Sequence, residues 1–382
     1  MTSSLQGGKV GGRDLRFDSL RGLMLVTMTI NHLPSSVRAV TDGSLGIFSS
    51  AEGFVFLSGL LAGFVYSRRL RRDGPAGLRA TIAQRASRIY GWHVAAFLTA
   101  LVAVQLCSRL TGFCSWANPP LFYAHPWGAA LLGSAMLYQP GLLDILPMYC
   151  VFVLLLPHVL NALEAGHRWR VLGWSLFAWF VVQWIPPVDG APLYPIHVGS
   201  FNIFAWQLLF VFGAALGHAR LSDLRPQVPF RPLLFLGAVA VVVYGYGVQK
   251  LHWRPGGPEW LFGVLLNKPN LGALRLADFG MAAYLVALVG ARWPALVTWR
   301  PLAFIGQHSL VVVAAQSVLV MILIQFNTLF DTKLHDYLTT AGAVAFLFGA
   351  AGIHQWITRW AALRTRQAAP VPVSRAHDVP AA

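Results

Sequence analysis

Apolar runs recur along this chain from residue 20 to residue 358, and no polar stretch between them is long enough for a folded soluble domain. About 20 residues of α-helix cross the ~30 Å hydrocarbon core of a bilayer. The pattern therefore predicts ten helical spans, at residues 20–38, 46–67, 88–107, 141–162, 171–186, 201–219, 232–249, 276–291, 302–325 and 339–358. Residues 125–138 and the piece Trp260–Leu266 are apolar but too short to cross, and read as re-entrant or interfacial helices. The expected fold is all-α, a polytopic transmembrane helix bundle of about ten spans. A single membrane domain over 17–362 would lie between a short N-terminal segment (1–16) and a tail (363–382). That tail is rich in Ala, Pro and Val, and is expected to be disordered.

Composition supports this reading, with 56% hydrophobic and only 11% charged residues, where an ordinary soluble domain has about 25% charged. The net charge of +15 would suit a nucleic-acid binder, but its placement does not. Of the 29 Lys and Arg, 22 fall in alternate loops on one side of the spans and 7 on the other. Such an imbalance sets topology rather than a binding face, and predicts that both termini are cytoplasmic. The three cysteines (Cys107, Cys114, Cys150) have no metal-ligand spacing. Cys107 and Cys114 are either free or paired in a loop outside the cytoplasm. The N-terminal dozen residues are polar and Gly-rich, and no cleavable signal is expected.

The candidate chemistry lies where ionisable groups interrupt apolar spans, because charge within a membrane segment is costly. Asp18, Arg21, Leu25 and His32 fall within ~60° of one another at 100° per residue, so one face of the first span carries an acid, a base and an imidazole. His32 lies 14 residues beyond Asp18, about 21 Å along the axis. An imidazole can take a proton from a hydroxyl, or simply hydrogen-bond a neighbouring helix. Glu52 closes Ser49-Ser50-Ala51-Glu52, a capping box, and is open to both a cap role and a catalytic one. Gly59 and Gly63 favour close helix approach.

Seven arginines lie between Arg68 and Arg88, and Arg85, Arg88 and His93 run into the third span. Arginine clamps phosphate through forked hydrogen bonds, whereas topology and lipid headgroups alone would also recruit it. Asn202, Trp206 and Gln207 place polar groups among aromatics at the start of the sixth span. Lys268 and Arg275 belong to a basic cluster on the side opposite the termini, suited to an anionic ligand or to lipid. His308 and Ser309 sit in the inner part of the ninth span.

Taken together, these pieces resemble the OpgC family of multi-pass O-acyltransferases. The matching stretches are Arg13 to Asp18 with Arg21-Gly22, Asn31-His32, Ala51 to Gly59, Arg85 to His93, Ala205 to Phe210, Lys268 with Leu274-Arg275, and Gly306-Gln307-His308-Ser309-Leu310. They stand in family order, and Gln307 departs from the basic residue expected there. The resemblance implies an enzyme of the bacterial inner membrane that moves an acyl group, succinyl in the first instance, from cytoplasmic acyl-CoA to hydroxyls of an osmoregulated periplasmic glucan. It implies His32 as the catalytic base; Glu52 is then expected to orient or charge-balance the imidazole, and the catalytic pair Asp18 and Arg21 to guard the donor's entrance. Substrate contacts are expected at Arg85, Arg88, His93, Asn202, Trp206, Gln207, Lys268, Arg275, His308 and Ser309. No metal and no cofactor beyond the CoA donor is expected. The rival readings are a transporter or flippase, an acyltransferase for another exported glycan or glycolipid, and a structural membrane protein. His32 and Glu52 are expected at similar depth if the first two spans form an antiparallel hairpin.

Overall fold

The computed structural model of the chain describes residues 9–10, 13–113, 119–184, 199–220, 228–254 and 257–367. A pair of two-residue antiparallel strands, β1 (Lys9–Val10) and β2 (Arg13–Asp14), precedes a helical bundle. The helix α1 (Leu15–His32) starts where the Asp14 carboxylate accepts the Arg16 N–H, an N-cap that satisfies one of the free amides of its first turn. The short α2 (Arg38–Thr41) leads into α3 (Ser50–Thr111). The helices α4 (Pro120–Ala124) and α5 (Pro126–Ser134) are too short to cross a bilayer, as expected for 125–138. There follow α6 (Ile145–Glu164), α7 (Arg168–Val182), α8 (Ile203–Ala219), α9 (Pro232–Lys250) and the short α10 (Glu259–Leu266). The bundle is completed by α11 (Ala273–Arg292), α12 (Arg300–Gln307), α13 (Ser309–Leu323) and α14 (Lys333–Gln367).

The 62-residue α3 is two arms joined at a break. Gly74 has φ 69° and ψ −179°, a conformation essentially confined to glycine. Pro75 follows, whose ring disfavours helix in the residue before it and removes an N–H. Tyr66 in the first arm lies within electrostatic reach of Arg85 and Arg88 in the second, so the arms fold back on each other. A straight helix would hold Tyr66 and Arg85 about 28 Å apart. The stretch Arg68 to Arg88, expected as a loop, is thus helical on both sides of Gly74.

Every expected span has a helix on it, but among the described residues fewer helices qualify as crossings than the ten expected. By length and apolarity α3, α6, α9, α11 and α14 can cross, and α12 with α13, bent by 88°, makes a sixth if counted as one span. The shortfall has local causes. Two expected spans lie within α3, α1 carries Arg16, Asp18 and Arg21, and α7 and α8 are only 15 and 17 residues long. The helices expected at 20–38 and 171–186 stop early, at His32 and Val182. The tail's first residues, 363–367, continue α14, and the rest lie outside the described residues, as does Cys114. Cys107 and Cys150 are free thiols. Apart from the short β1–β2 pair, the described residues are those of an all-helical membrane protein.

The centre of the bundle is α3, which packs on α8, α6, α13 and α1. A side chain at Gly59 or Gly63 would strike the backbone of Phe210 or Ala214, and one at Gly213 or Gly217 that of Phe56 or Leu60. The two helices therefore meet backbone to backbone, the packing role expected for Gly59 and Gly63. A second such crossing joins α1 to α12, where Gly22 faces Leu302 and Gly306 faces the Asp18 carbonyl. Around these seams Leu25, Phe54, Ile89, Phe97, Phe152 and Phe210 fill the core.

Candidate functional site

The polar groups expected from the sequence collect at two levels of the bundle. At one level the first turn of α3 presents Glu52, which is fully buried. Its Oε2 accepts the Ser49 N–H (3.0 Å) and the Ser49 hydroxyl (2.6 Å), which is the reach-back of a capping box. Its Oε1 accepts from Arg275 Nε on α11 at 2.6 Å, and Arg275 is only 7% exposed. One carboxylate thus serves both as a cap and in a buried ion pair, with one oxygen for each. One turn on from Arg275, Asp278 is fully buried, and its Oδ2 accepts the backbone N–H groups of Ile47 (2.5 Å) and Phe48 (3.2 Å). A side chain at Gly46 or Gly245 would collide with the Asp278 carboxylate, so these glycines leave it room.

Beside this pair the segment 267–271 brings in Lys268, whose charge acts on both Glu52 and His32. The Lys268 ammonium also stands 5.8 Å from the Phe201 ring centroid. The segment is tied down from several helices. Trp206, fully buried in α8, donates its indole N–H to the carbonyls of Pro269 (3.0 Å) and Lys268 (3.3 Å). Asn202 caps α8 through the Phe204 N–H and bonds Asn270 at 3.0 Å. Trp179 of α7 and Gln183 just past its end donate to the carbonyls of Leu271 and Asn270. Gln207 locks α8 to α7, accepting the Ser175 hydroxyl (2.7 Å) and donating to the Ser175 carbonyl (2.8 Å). Asn202, Trp206 and Gln207 therefore act here as a frame that positions Lys268.

His32 ends α1 with its side chain exposed, next to Asn31, which accepts the Thr41 hydroxyl. Among the described residues no hydrogen bond joins His32 to Glu52. The contact between Thr27 and Ser50 (2.5 Å) marks a common level of α1 and α3. From it His32 lies five residues one way and Glu52 two the other, an axial offset of about 10 Å. The similar depth expected for the two groups is not found, and Lys268 stands electrostatically between them.

The second level lies toward the other end of α1. There Arg21 donates to the Ser309 hydroxyl and stands 5.7 Å from the Phe54 ring centroid. Ser309 opens α13 just past the 88° bend, and is accessible to Arg21 because the Gly22 and Gly306 crossing brings α12 close to α1. Asp18 is buried at 2% exposure in the same crossing. His308 at the bend bonds His354 of α14 through the two Nδ1 atoms (2.9 Å), with Trp92 edge-on to His354. Gln307 is exposed. His93 is fully buried, and its Nε2 donates to the Gly133 carbonyl at 3.0 Å, which ties α3 to α5.

The arginines of α3 divide into two sets. Arg69 and Arg72 pair with Asp73, and Arg71 pairs with Glu164. The hydrogen bond from Arg72 holds the Asp73 carboxyl below the usual carboxylate range. Arg85 is half-buried and Arg88 exposed, one helical turn apart and both near Tyr66. Two carboxylates that the sequence reading passed over also take structural roles. Asp278 is one, and Asp336 of α14, which accepts the Ser36 N–H (2.8 Å) and hydroxyl (2.6 Å), is the other. Their signal was available, since each is an acid at or within an apolar span. Among the described residues no three His, Cys, Asp or Glu side chains come together to hold a metal ion.

No curated protein and no solved structure matches the chain. One family does, described as OpgC protein, and it matches residues 13–359. That match takes in α1 with Asp18 and His32, the Glu52–Arg275 pair, the Lys268 segment and the bend at His308, so the chain belongs to the OpgC family.

Proposed function

We propose that this protein is a membrane O-acyltransferase that moves an acyl group, succinyl in the first instance, from cytoplasmic acyl-CoA to hydroxyls of a periplasmic glucan. Family membership supports transferase activity of this class. The observation that supports the rest is the two-level arrangement of polar groups along α1, with Asp18 and Arg21 at one level and His32, within electrostatic reach of Lys268, at the other. In this reading both termini are cytoplasmic, following the 22 to 7 split of basic residues.

Arg85 and Arg88 hold the phosphates of the donor, whose thioester arm runs inward toward His32. The acceptor hydroxyl gives its proton to the His32 imidazole as its oxygen attacks the thioester carbonyl. The tetrahedral intermediate collapses, the C–S bond breaks, and the thiolate takes the proton from the imidazolium. Glu52 acts through Arg275 and Ser49, and so positions the surrounding helices without touching the imidazole.

The test is thiol release by purified protein given succinyl-CoA and glucan, with mass spectrometry of the glucan. The wild type should release thiol and add one succinyl mass per event. His32→Ala should do neither while remaining folded in membranes. Retained transfer in His32→Ala would remove the assignment of the base, and absence of thioester consumption in the wild type would favour a transporter.

A further inference from the structure

A cavity of about 1110 Å³ lies on a different face of α1 from Asp18, Arg21 and His32. Leu20, Leu23, Met24 and Thr27 line it on α1, and it runs from Arg16 to Asn31. Fifteen residues of helix make this about 22 Å, longer than one leaflet of a ~30 Å hydrocarbon core. The first arm of α3 and α8 form one wall through Phe56, Leu57 and Phe212, and α11 with the start of α9 forms the other. Between these walls little protein intervenes, for α9 packs mainly on α11 and α11 barely touches α3. A lining this apolar favours hydrocarbon over water, and hydrocarbon is the material that a bilayer supplies.

Among the described residues its charges are all at one end and all of one sign, for Arg16, Arg220 and Arg231 line it and no described Asp or Glu does. Arg16 is engaged by the Asp14 carboxylate and the Gly290 carbonyl, the latter at 3.0 Å. Arg220 ends α8, while Arg231 precedes α9 and is exposed. The opposite end is polar but uncharged, with Asn31, Thr41 and Ser44. From this polarity we infer that the groove binds a glycerophospholipid with an anionic headgroup. The headgroup phosphate meets Arg220 and Arg231, and the fatty chains lie along α1 between the two walls. Such a lipid would complete the packing of α9 and α11 against the rest of the bundle.

The test uses full-length protein, delipidated in detergent and then equilibrated with mixed vesicles of phosphatidylglycerol and phosphatidylcholine in equal amounts. Native mass spectrometry reads the lipid retained, without any acyl transfer. Wild-type protein should retain one phosphatidylglycerol, preferred at least tenfold over phosphatidylcholine. Arg231→Gln, and more fully the Arg220→Gln/Arg231→Gln double variant, should abolish that preference. Gly280→Trp should lose both lipids. Gly280 lines the groove with nothing within 4 Å of an added Cβ, so the indole fills space without displacing backbone. Equal retention of the two lipids, or retention unchanged in the double variant and in Gly280→Trp, would overturn the inference. So would finding an isoprenoid phosphate or a second copy of the chain in the groove.

Discussion

The Glu52–Arg275 pair offers a sharp test of how the bundle is held together. Glu52→Gln keeps the size of the side chain and an acceptor for Ser49, but removes a charge from a site that water does not reach. The bond it weakens is 2.6 Å long between groups 0% and 7% exposed. Removing one partner of a buried pair costs ~3–5 kcal/mol, because the remaining charge stays desolvated without compensation. The cap contributes about 1 kcal/mol and is largely retained by Gln, which separates the two roles of the residue. Arg275→Met performs the converse experiment and leaves the carboxylate with only the Ser49 donors. At the low end of the usual scale, ~2 °C per kcal/mol for long chains, either single variant should lower the Tm by about 6–10 °C. The double variant removes both charges and should recover most of that loss, since a matched apolar or neutral replacement of a buried pair is often nearly neutral. The measurement is thermal unfolding of the purified protein in detergent, followed by the fluorescence of its 14 tryptophans. Single variants shifted by under about 2 °C, or a double variant that loses the sum of the singles, would refute a coupled buried pair.

Two further outcomes are expected. Arg85→Ala and Arg88→Ala should each raise the KM for acyl-CoA about tenfold, the equivalent of one charge-assisted hydrogen bond, and leave kcat in place; an unchanged KM would return these residues to anchoring. Gly74→Ala should destabilise by ~1–3 kcal/mol through backbone strain alone, since nothing lies within 4 Å of its added Cβ, whereas Gly237→Ala, in open space inside α9, should be neutral or slightly stabilising in the same melting assay.

Much of the fold was legible from apolar periodicity, because a helix in lipid must be apolar along nearly its whole length. Legibility failed where that pressure is absent. The arginine-rich stretch around Gly74 is helical, yet its polar residues leave no apolar pattern to read, and only Asp73-Gly74-Pro75 marks the break. The crossings were overcounted because an apolar run does not fix helix length: α7 packs on α8, and α8 on α3, each at less than full span length. At the site, both roles weighed for Glu52 turned on its surroundings. The Ser49 partner is three residues away and was visible; Arg275 is 223 residues away and was not. For the same reason Asn202, Trp206 and Gln207 stood out as polar groups among aromatics, while the task of the first two in pinning the Lys268 segment, and of Gln207 in bracing α8 against α7, became evident only in three dimensions.

Two polar groups of α1, Arg21 and Thr29, find partners very late in the chain. Arg21 bonds Ser309 across 288 residues, Thr29 bonds Gln316 across 287, and Gly22 packs on the backbone of Leu302. During synthesis at ~5–20 residues per second, Arg21 would wait roughly 15 to 60 s for Ser309 to be made. For that interval the first helix has Asp18 and Arg21 without their native surroundings, in a membrane that penalises both. Its secure insertion therefore has to be deferred, or assisted by the insertion machinery, until α12 and α13 arrive. The last third of the protein thus serves as an internal chaperone for the first helix, and chains truncated before residue 300 should be cleared by proteases rather than accumulate.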